Sequence, residues 1–297
     1  MNAEFERLVE AAPYGAVERL SPLVRRVLAR NPSPFTFTGT GTYIVGEGDV
    51  AVIDPGPADQ PHLDALLAAL AGERVGAILV THTHFDHSPA AVPLKAATGA
   101  PVIGCAPLVL ADDGPRADAG FDPTYAPDQV LADGEQVQGA GWTLAAIHTP
   151  GHTSNHLCYA LAEEKALFSG DHVMGWSTTV VAPPDGDMAA YMRSLALLLA
   201  RDDVVYYPTH GSPVGEPQRW VRHLIGHRRQ REAQILAELA AGPRAIPAMV
   251  ERMYASVDRR LWGAAGRSVL AHLIDLADRG LVRARGGNPE GADWERV

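Results

Sequence analysis

The sequence predicts an α/β fold, a mixed sheet covered by helices, followed by a small and mainly helical unit. Three observations carry this expectation. Between residues 50 and 104, β-rich and helix-periodic segments alternate, the order that lays strands side by side under helices. Clusters rich in histidine and aspartate each follow a predicted strand, and in layered α/β folds strand ends share one rim. From about Glu216 the pattern turns helical and the charge balance changes sign. The chain is read as two units, residues 1–215 and 216–297.

Residues 15–53 read as strands. Positions 24–28, 40–45 and 50–53 are β-rich, with Gly46-Glu-Gly48 as the hairpin turn between the last two. Ile53-Asp54-Pro55-Gly56 ends this section, where Asp54 is either a turn residue or a carboxylate that orients a metal-binding histidine. Positions 59–71 carry Leu63, Leu66, Leu67 and Leu70 at helical spacing. A buried strand follows at 77–81, then the cluster Thr81-His82-Thr83-His84-Phe85-Asp86-His87, a helix at 89–98 and a short strand at 101–104. The stretch 106–130 is rich in Pro, Asp and Gly and reads as an irregular cover for a site. Strand patterns return at 142–148, 155–160 and 165–169, interrupted by Thr149-Pro-Gly-His152-Thr and ended by Gly170-Asp171-His172. A helix capped within Asp185–Asp187 covers 187–200. The strand at 204–207 runs into Pro208-Thr-His210-Gly. In the tail, helices are expected at 217–241, 245–254 and 267–279, with 281–285 and 293–297 as a β-wing.

Hydrophobic residues make up 46% and charged residues 20% of the 297 positions, as in a soluble globular protein. Apolar runs fall far short of a membrane span. Met1-Asn-Ala-Glu-Phe-Glu-Arg carries acids where a secretory leader would be basic then apolar, so a cytoplasmic location is expected, with no membrane partner. Cys105 and Cys158 read as small buried hydrophobes. Residues 216–297 hold 14 arginines and 10 acidic residues, a balance of +4, against −14 for residues 1–215. That asymmetry is too weak to define a nucleic-acid face.

His82 and His84 are two apart, so an extended backbone projects both imidazoles to one side. Packing gives no reason to gather three imidazoles and a carboxylate at one strand end; metal binding does. Adding His152, Asp171 and His210 makes five imidazoles and two carboxylates, too many for one tetrahedral zinc with an open position. Two ions fit better. His82, His84 and His152 are assigned to the first and Asp86, His87 and His210 to the second, with Asp171 bridging. Zinc comes first, and iron or manganese also suits such donors. Two divalent ions so placed can hold a bridging hydroxide at neutral pH.

These motifs resemble the metallo-β-lactamase superfamily. The resemblance rests on His82-Thr-His84-Phe-Asp86-His87, Pro150-Gly-His152-Thr, Gly170-Asp171 and His210-Gly, in that order, and covers roughly 15–215. It implies an αββα sandwich with a dinuclear site at one edge, and its metal assignments agree with those above. The segments Pro32-Ser-Pro-Phe-Thr-Phe-Thr-Gly-Thr-Gly-Thr-Tyr-Ile-Val45 and Gly175-Trp-Ser-Thr-Thr-Val-Val, with the helical tail, look like one subgroup. That subgroup contains bacterial hydrolases and the mitochondrial β-lactamase-like endoribonuclease, and carries a C-terminal winged-helix-like domain. Secreted β-lactamases generally lack an aspartate at the place of Asp171, so a dedicated antibiotic hydrolase is disfavoured. The helical tail of glyoxalase II finds no match here, and 171–210 leaves no room for the insertion of β-CASP nucleases.

The expected function is a dinuclear metal-dependent hydrolase, with Asp86 and Asp171 at its chemistry and His172 as a substrate contact or proton-transfer group. A small ester, thioester or lactone is favoured as substrate over single-stranded RNA; a ligand-sensing DNA-binding protein is the reading of a different class. His148, His156 and His172 read as groups packed behind the ligands, and His62, His223, His227 and His272 as surface or helix residues. The run Arg228-Arg-Gln-Arg231 reads as a solvated helix face. Asp275 and Asp278 on the third tail helix would face phosphates badly. The tail is therefore expected to serve packing, homodimer formation or a substrate groove, and not to be needed for assembling the metals.

Overall fold

The computed structural model of the chain describes residues 3–110 and 120–297. Part of the 106–130 stretch expected to cover the site, residues 111–119, lies outside the described residues. The first sheet has seven strands in chain order: β1 Val17–Arg19, β2 Val24–Leu28, β3 Gly41–Glu47, β4 Asp49–Ile53, β5 Arg74–Val80, β6 Val102–Gly104 and β7 Gln129–Val130. It is antiparallel from β1 to β4 and parallel from β4 onward. The β3–β4 hairpin turns at Gly48, whose φ of +71° is open to glycine at no steric cost.

The second sheet holds β8 Gln136–Gly139, β9 Trp142–His148, β10 Leu157–Leu161, β11 Ala166–Gly170 and β12 Val205–Pro208, in the order β12-β11-β10-β9-β8. Its central strands are buried on both faces, and their alternation decides which core each residue joins. Leu157, Tyr159 and Leu161 of β10 enter the core between the two sheets, whereas Cys158 and Ala160 enter the core on the far side. Both cysteines are buried thiols without a disulfide.

Helices supply the outer layers. An N-terminal helix, α1 Ala3–Ala11, buries no residue and touches the body through Phe5 against Phe37, with ring centroids 6.0 Å apart. It is not among the elements expected from the sequence; so short a helix has little intrinsic stability. Against the first sheet, α2 Gln60–Ala69 packs Leu63 and Leu66, and α3 Ala91–Thr98 packs Leu94. Asp59 caps α2 by accepting from the His62 amide, and Gly99 ends α3 in the left-handed region. On the far side of the second sheet, α4 Met188–Leu199, capped by Asp187, packs Tyr191, Leu195 and Leu198. The layers therefore run helix, sheet, sheet, helix.

The tail begins with α5 Pro217–Ala240. Its first half packs Val221, Leu224 and Ile225 into the core beneath the second sheet, and its second half packs Ile235 and Leu239 into a third core. That third core is completed by α6 Ile246–Met253, α7 Trp262–Asp278 and a small sheet of β13 Arg244–Ala245, β14 Val282–Arg285 and β15 Asp293–Arg296, ordered β13-β15-β14. Strands β14 and β15 form the expected wing. Helix α7 starts five residues before its expected beginning, since Gly263 and Gly266 weaken the local signal and packing overrides it. No helix among the described residues is long and apolar enough to cross a membrane.

Candidate metal centre

Strands β4, β5, β9, β11 and β12 end at one edge of the sandwich and deliver the polar clusters there. Extended backbone through His84 keeps His82 and His84 on one side, as their spacing predicts: His82 Nε2 lies 2.9 Å from His84 Nδ1. His152, arriving from the β9–β10 connection, brings its Nε2 to 3.1 Å from the same His84 nitrogen. Beside this triad, His210 Nε2 is 3.1 Å and His87 Nε2 3.5 Å from Asp86 Oδ2. Asp171 stands between the groups. Its Oδ1 lies 3.6 Å from His87 Nε2 and 3.4 Å from His210 Nε2, while Oδ2 is 3.8 Å from His152 Nε2. Each carboxylate oxygen thus faces a different triad. All seven residues singled out for metal binding come together, in overlapping groups whose ligand atoms lie within 4.8 Å of one another.

The outward nitrogens are held by oxygens. His152 Nδ1–H donates to Val180 O at 2.7 Å, His210 Nδ1–H to Gly39 O at 3.1 Å, and His87 Nδ1–H to Asp54 Oδ2 at 2.9 Å. Such bonds turn the lone pair of Nε2 inward. Asp54 combines both roles weighed for it. It turns the chain at φ +48° and, fully buried, orients His87. His156 holds Asp171 from behind, its Nε2 accepting the Asp171 amide at 3.2 Å while its Nδ1 meets Thr149 Oγ1. Gly170 is required there: at φ +51°, an added Cβ would sit 2.5 Å from His156 Nε2.

These donors fit a cation. His87 Nε2 and Asp171 Oδ1 are buried without a hydrogen-bond partner among the described residues. Inward nitrogens that face one another as lone pairs repel unless a positive charge lies between them. Burial, then the rings of His87, His84 and His152, holds His82 well below the ordinary imidazole range, the neutral form a metal needs. For His210 burial acts downward too, but Asp171 and Asp86 outweigh it and push the imidazole up to about 10.

Several residues sit elsewhere than the sequence suggested. His172 is fully buried and does not line the cavity above the centre; its ring packs against Tyr191, with centroids 4.8 Å apart. The turn after β11 sends Asp171 into the site and the next side chain beneath it, so this placement offers His172 no substrate. Burial, then His152 and Arg228, pushes it down to about 3. His148 is exposed and bonds Ser154 O. His62 and His272, read as surface or helix residues, lie on helices α2 and α7 with their rings buried, whereas His223 of α5 is exposed.

A cavity of about 650 Å³ opens over Asp86, His152, Asp171 and His210. Its walls join parts far apart in the chain. Phe37 stacks on Trp176 at 4.9 Å, tying the 32–45 and 175–181 segments together along one side. Val257, Leu261 and Ala265 of the tail form another side. Arg228 and Arg231 also face this space, against the expectation of a solvated run: Arg228 is 3% exposed. A signal for this lay in the spacing. Val221, Leu224, Arg228, Arg231 and Ile235 follow a 3-4-3-4 pattern, so both arginines sit in the seam of α5.

Two facing sheets flanked by helices, with a histidine–aspartate cluster at one edge, define a layered α/β scaffold built around candidate metal ligands. The chain matches the metallo-beta-lactamase superfamily over residues 36–210 and the beta-lactamase associated winged helix domain over 245–294. It belongs to the metallo-β-lactamase superfamily of hydrolases. It is 34% identical to a beta-lactamase-like protein 2 homolog of Drosophila melanogaster over 90% of this chain and 92% of that one. It is 33% identical to an atrochrysone carboxyl ACP thioesterase of Aspergillus fumigatus over 75% of this chain and 67% of that protein. Among solved structures, a metallo-beta-lactamase family protein from Thermus thermophilus superposes with a TM-score of 0.75 at 24% identity, covering 94% of this chain and 100% of that one.

Proposed function

We propose that the chain is a dinuclear metal-dependent hydrolase of acyl esters, thioesters or lactones. His82, His84 and His152 would hold one divalent ion, and Asp86, His87 and His210 the other, with Asp171 offering one oxygen to each; zinc suits these donors best. Two such ions supply Lewis acidity towards a carbonyl oxygen and an activated water at neutral pH. The residues of the chain do the rest. Asp54 and His156 hold His87 and Asp171 in place. Phe35, Phe85 and Trp176 give the space over the centre an apolar lining that favours an acyl group and sheds water.

The cavity carries the reading, because a walled apolar pocket of this size suits a small acyl substrate better than a polynucleotide strand. The thioesterase among the relatives supports it. Helix α7, in the recognition-helix position, buries Val269, Leu270, Leu273 and Leu276 in packing, which favours a structural role over duplex reading. The test is to reconstitute the full-length protein with zinc, count ions by elemental analysis, and assay thioesters, lactones and single-stranded RNA in parallel. We expect close to two ions per chain and turnover confined to the acyl substrates. A count of one ion or fewer, or cleavage of RNA with no acyl turnover, would sink the proposal.

A further inference from the structure

Arg228 is a buried charge, without a counter-charge among the described residues. Among the described residues, no carboxylate lies within 4 Å of it or of Arg231, whereas other tail arginines are paired, Arg252 with Glu238, Arg279 with Glu232 and Arg283 with Glu295. Of the five N–H groups a guanidinium carries, Arg228 engages one among the described residues, through Nη2 to Thr179 O, and its Nε is buried with no acceptor among them. Its plane lies over Tyr191, 5.1 Å from the ring centroid. Arg231, one turn on, lies 4.3 Å from the Tyr254 centroid and, among the described residues, bonds neutral acceptors: Gln234 Oε1, Met253 O and His227 Nε2. His227 registers the positive field, pushed down to about 4 by burial and then by Arg228 and Arg231. Desolvating an unpaired guanidinium is costly, so the arrangement calls for an anion from outside. Both side chains line the same cavity as Asp171 and His210.

We propose that Arg228 and Arg231 form an oxyanion subsite, so that the preferred substrate is an acyl thioester or ester bearing a carboxylate or phosphate apart from its scissile carbonyl. This rests on the acyl-hydrolase reading above and deepens it. A planar fork matches a carboxylate or phosphate through paired hydrogen bonds, and charge-assisted bonds are the stronger kind. Thr179 links the subsite to the centre, since its carbonyl receives Arg228 while its hydroxyl donates to Asp171 O at 2.6 Å.

Two matched pairs separate the sources of the anion. One compares glutaryl with valeryl thioesters of N-acetylcysteamine, placing a carboxylate on the acyl side. The other compares 4′-phosphopantetheine with pantetheine thioesters of one acyl group, placing a phosphate on the leaving side. For the zinc-loaded protein we expect kcat/KM to favour the charged member of at least one pair by about 10–100-fold, as hydrogen bonds to a charged group allow. In Arg231→Gln that preference should fall to within about 3-fold, and Arg228→Lys, which keeps the charge but loses the fork, should retain part of it. Titration calorimetry with glutarate and with 4′-phosphopantetheine, on proteins of equal metal content, gives a readout free of turnover. If no acyl substrate is hydrolysed yet these probes bind and weaken with Arg231→Gln, the subsite stands and the acyl-hydrolase reading fails. Equal preference and equal probe binding in wild type and both variants would overturn the subsite. So would RNA cleavage that depends on Arg231 while both thioester pairs show no preference.

Discussion

Four donors converge on the carboxylate of Asp54: the Thr81 amide and hydroxyl at 2.8 Å each, His87 Nδ1 at 2.9 Å and the Thr209 hydroxyl at 3.0 Å. Thr81 precedes His82 and Thr209 precedes His210, so one buried acid at the end of β4 joins the ends of β5 and β12, which carry candidate ligands. Asn accepts the left-handed backbone that Asp54 adopts but offers one acceptor oxygen instead of two. Asp54→Asn should lower metal affinity about 10–100-fold, measured by competition with a chromophoric chelator, while circular dichroism keeps its folded signature. An unchanged affinity would deny Asp54 this orienting role. His272 makes a different residue-scale prediction. Burial, followed by Arg228, pushes it down to about 3 from 6.5, and neither ring nitrogen has a partner among the described residues. Between those values the unfolded chain binds the proton and the folded chain does not. The contribution to stability is therefore whole above about 6.5 and is lost as pH falls, at up to about 1.4 kcal/mol per pH unit. His272→Leu should shrink the drop in Tm between pH 7 and pH 5; an unchanged drop would show that His272 takes its proton in the folded state.

At the scale of elements, the connection between β9 and β10 depends on how closely it approaches α4. Gly151 has φ +141°, and an added Cβ would meet the Tyr191 backbone at 2.3 Å. Backbone cannot yield as a side-chain tip can, so Gly151→Ala must push the loop and His152 away from the centre. We expect this variant to lose Tm and to bind the first ion more weakly than the second, seen as a metal content falling from two ions towards one. Equal loss of both ions would point to general unfolding. This explains why Pro150-Gly-His152 was legible before the structure: both the glycine and the ligand are constrained locally. The convergence of the candidate ligands was legible for a similar reason, as each follows a strand whose apolar run marks it. The arginines of α5 were harder to place. Their charge suggested solvent, and only the third dimension shows that the cavity wall needs that seam. His172 misled by adjacency, since sequence proximity to Asp171 says nothing about which side of a turn a side chain takes.

For the molecule as a whole, the tail is part of the catalytic body. The candidate ligands all precede residue 211, which suggested that residues 1–215 could assemble the centre alone. Packing argues otherwise. Val221, Leu224 and Ile225 of α5 are buried under the second sheet beside Tyr191, Leu195 and Leu198. Burying each such side chain contributes about 1.5–3 kcal/mol, together about 5–9 kcal/mol, comparable with the roughly 5–15 kcal/mol that holds a typical domain folded. Cutting before Pro217 also exposes the apolar face of α4, an aggregation surface. A cut after Ala241 keeps α5 over that face and removes α6, α7 and the wing, which should leave a folded centre with an opened cavity. We therefore expect the 1–215 fragment to aggregate or melt below the growth range of ordinary proteins. A 1–241 fragment, with Ile235 and Leu239, which the cut exposes, changed to polar residues, should stay soluble and bind metal. Its KM for acyl substrates should rise more than its kcat falls, because Val257, Leu261 and Ala265 no longer close the cavity. Sedimentation, elemental analysis and steady-state kinetics on both fragments decide the matter. A soluble, metal-replete 1–215 fragment with full-length KM would show that the tail contributes neither packing nor cavity wall.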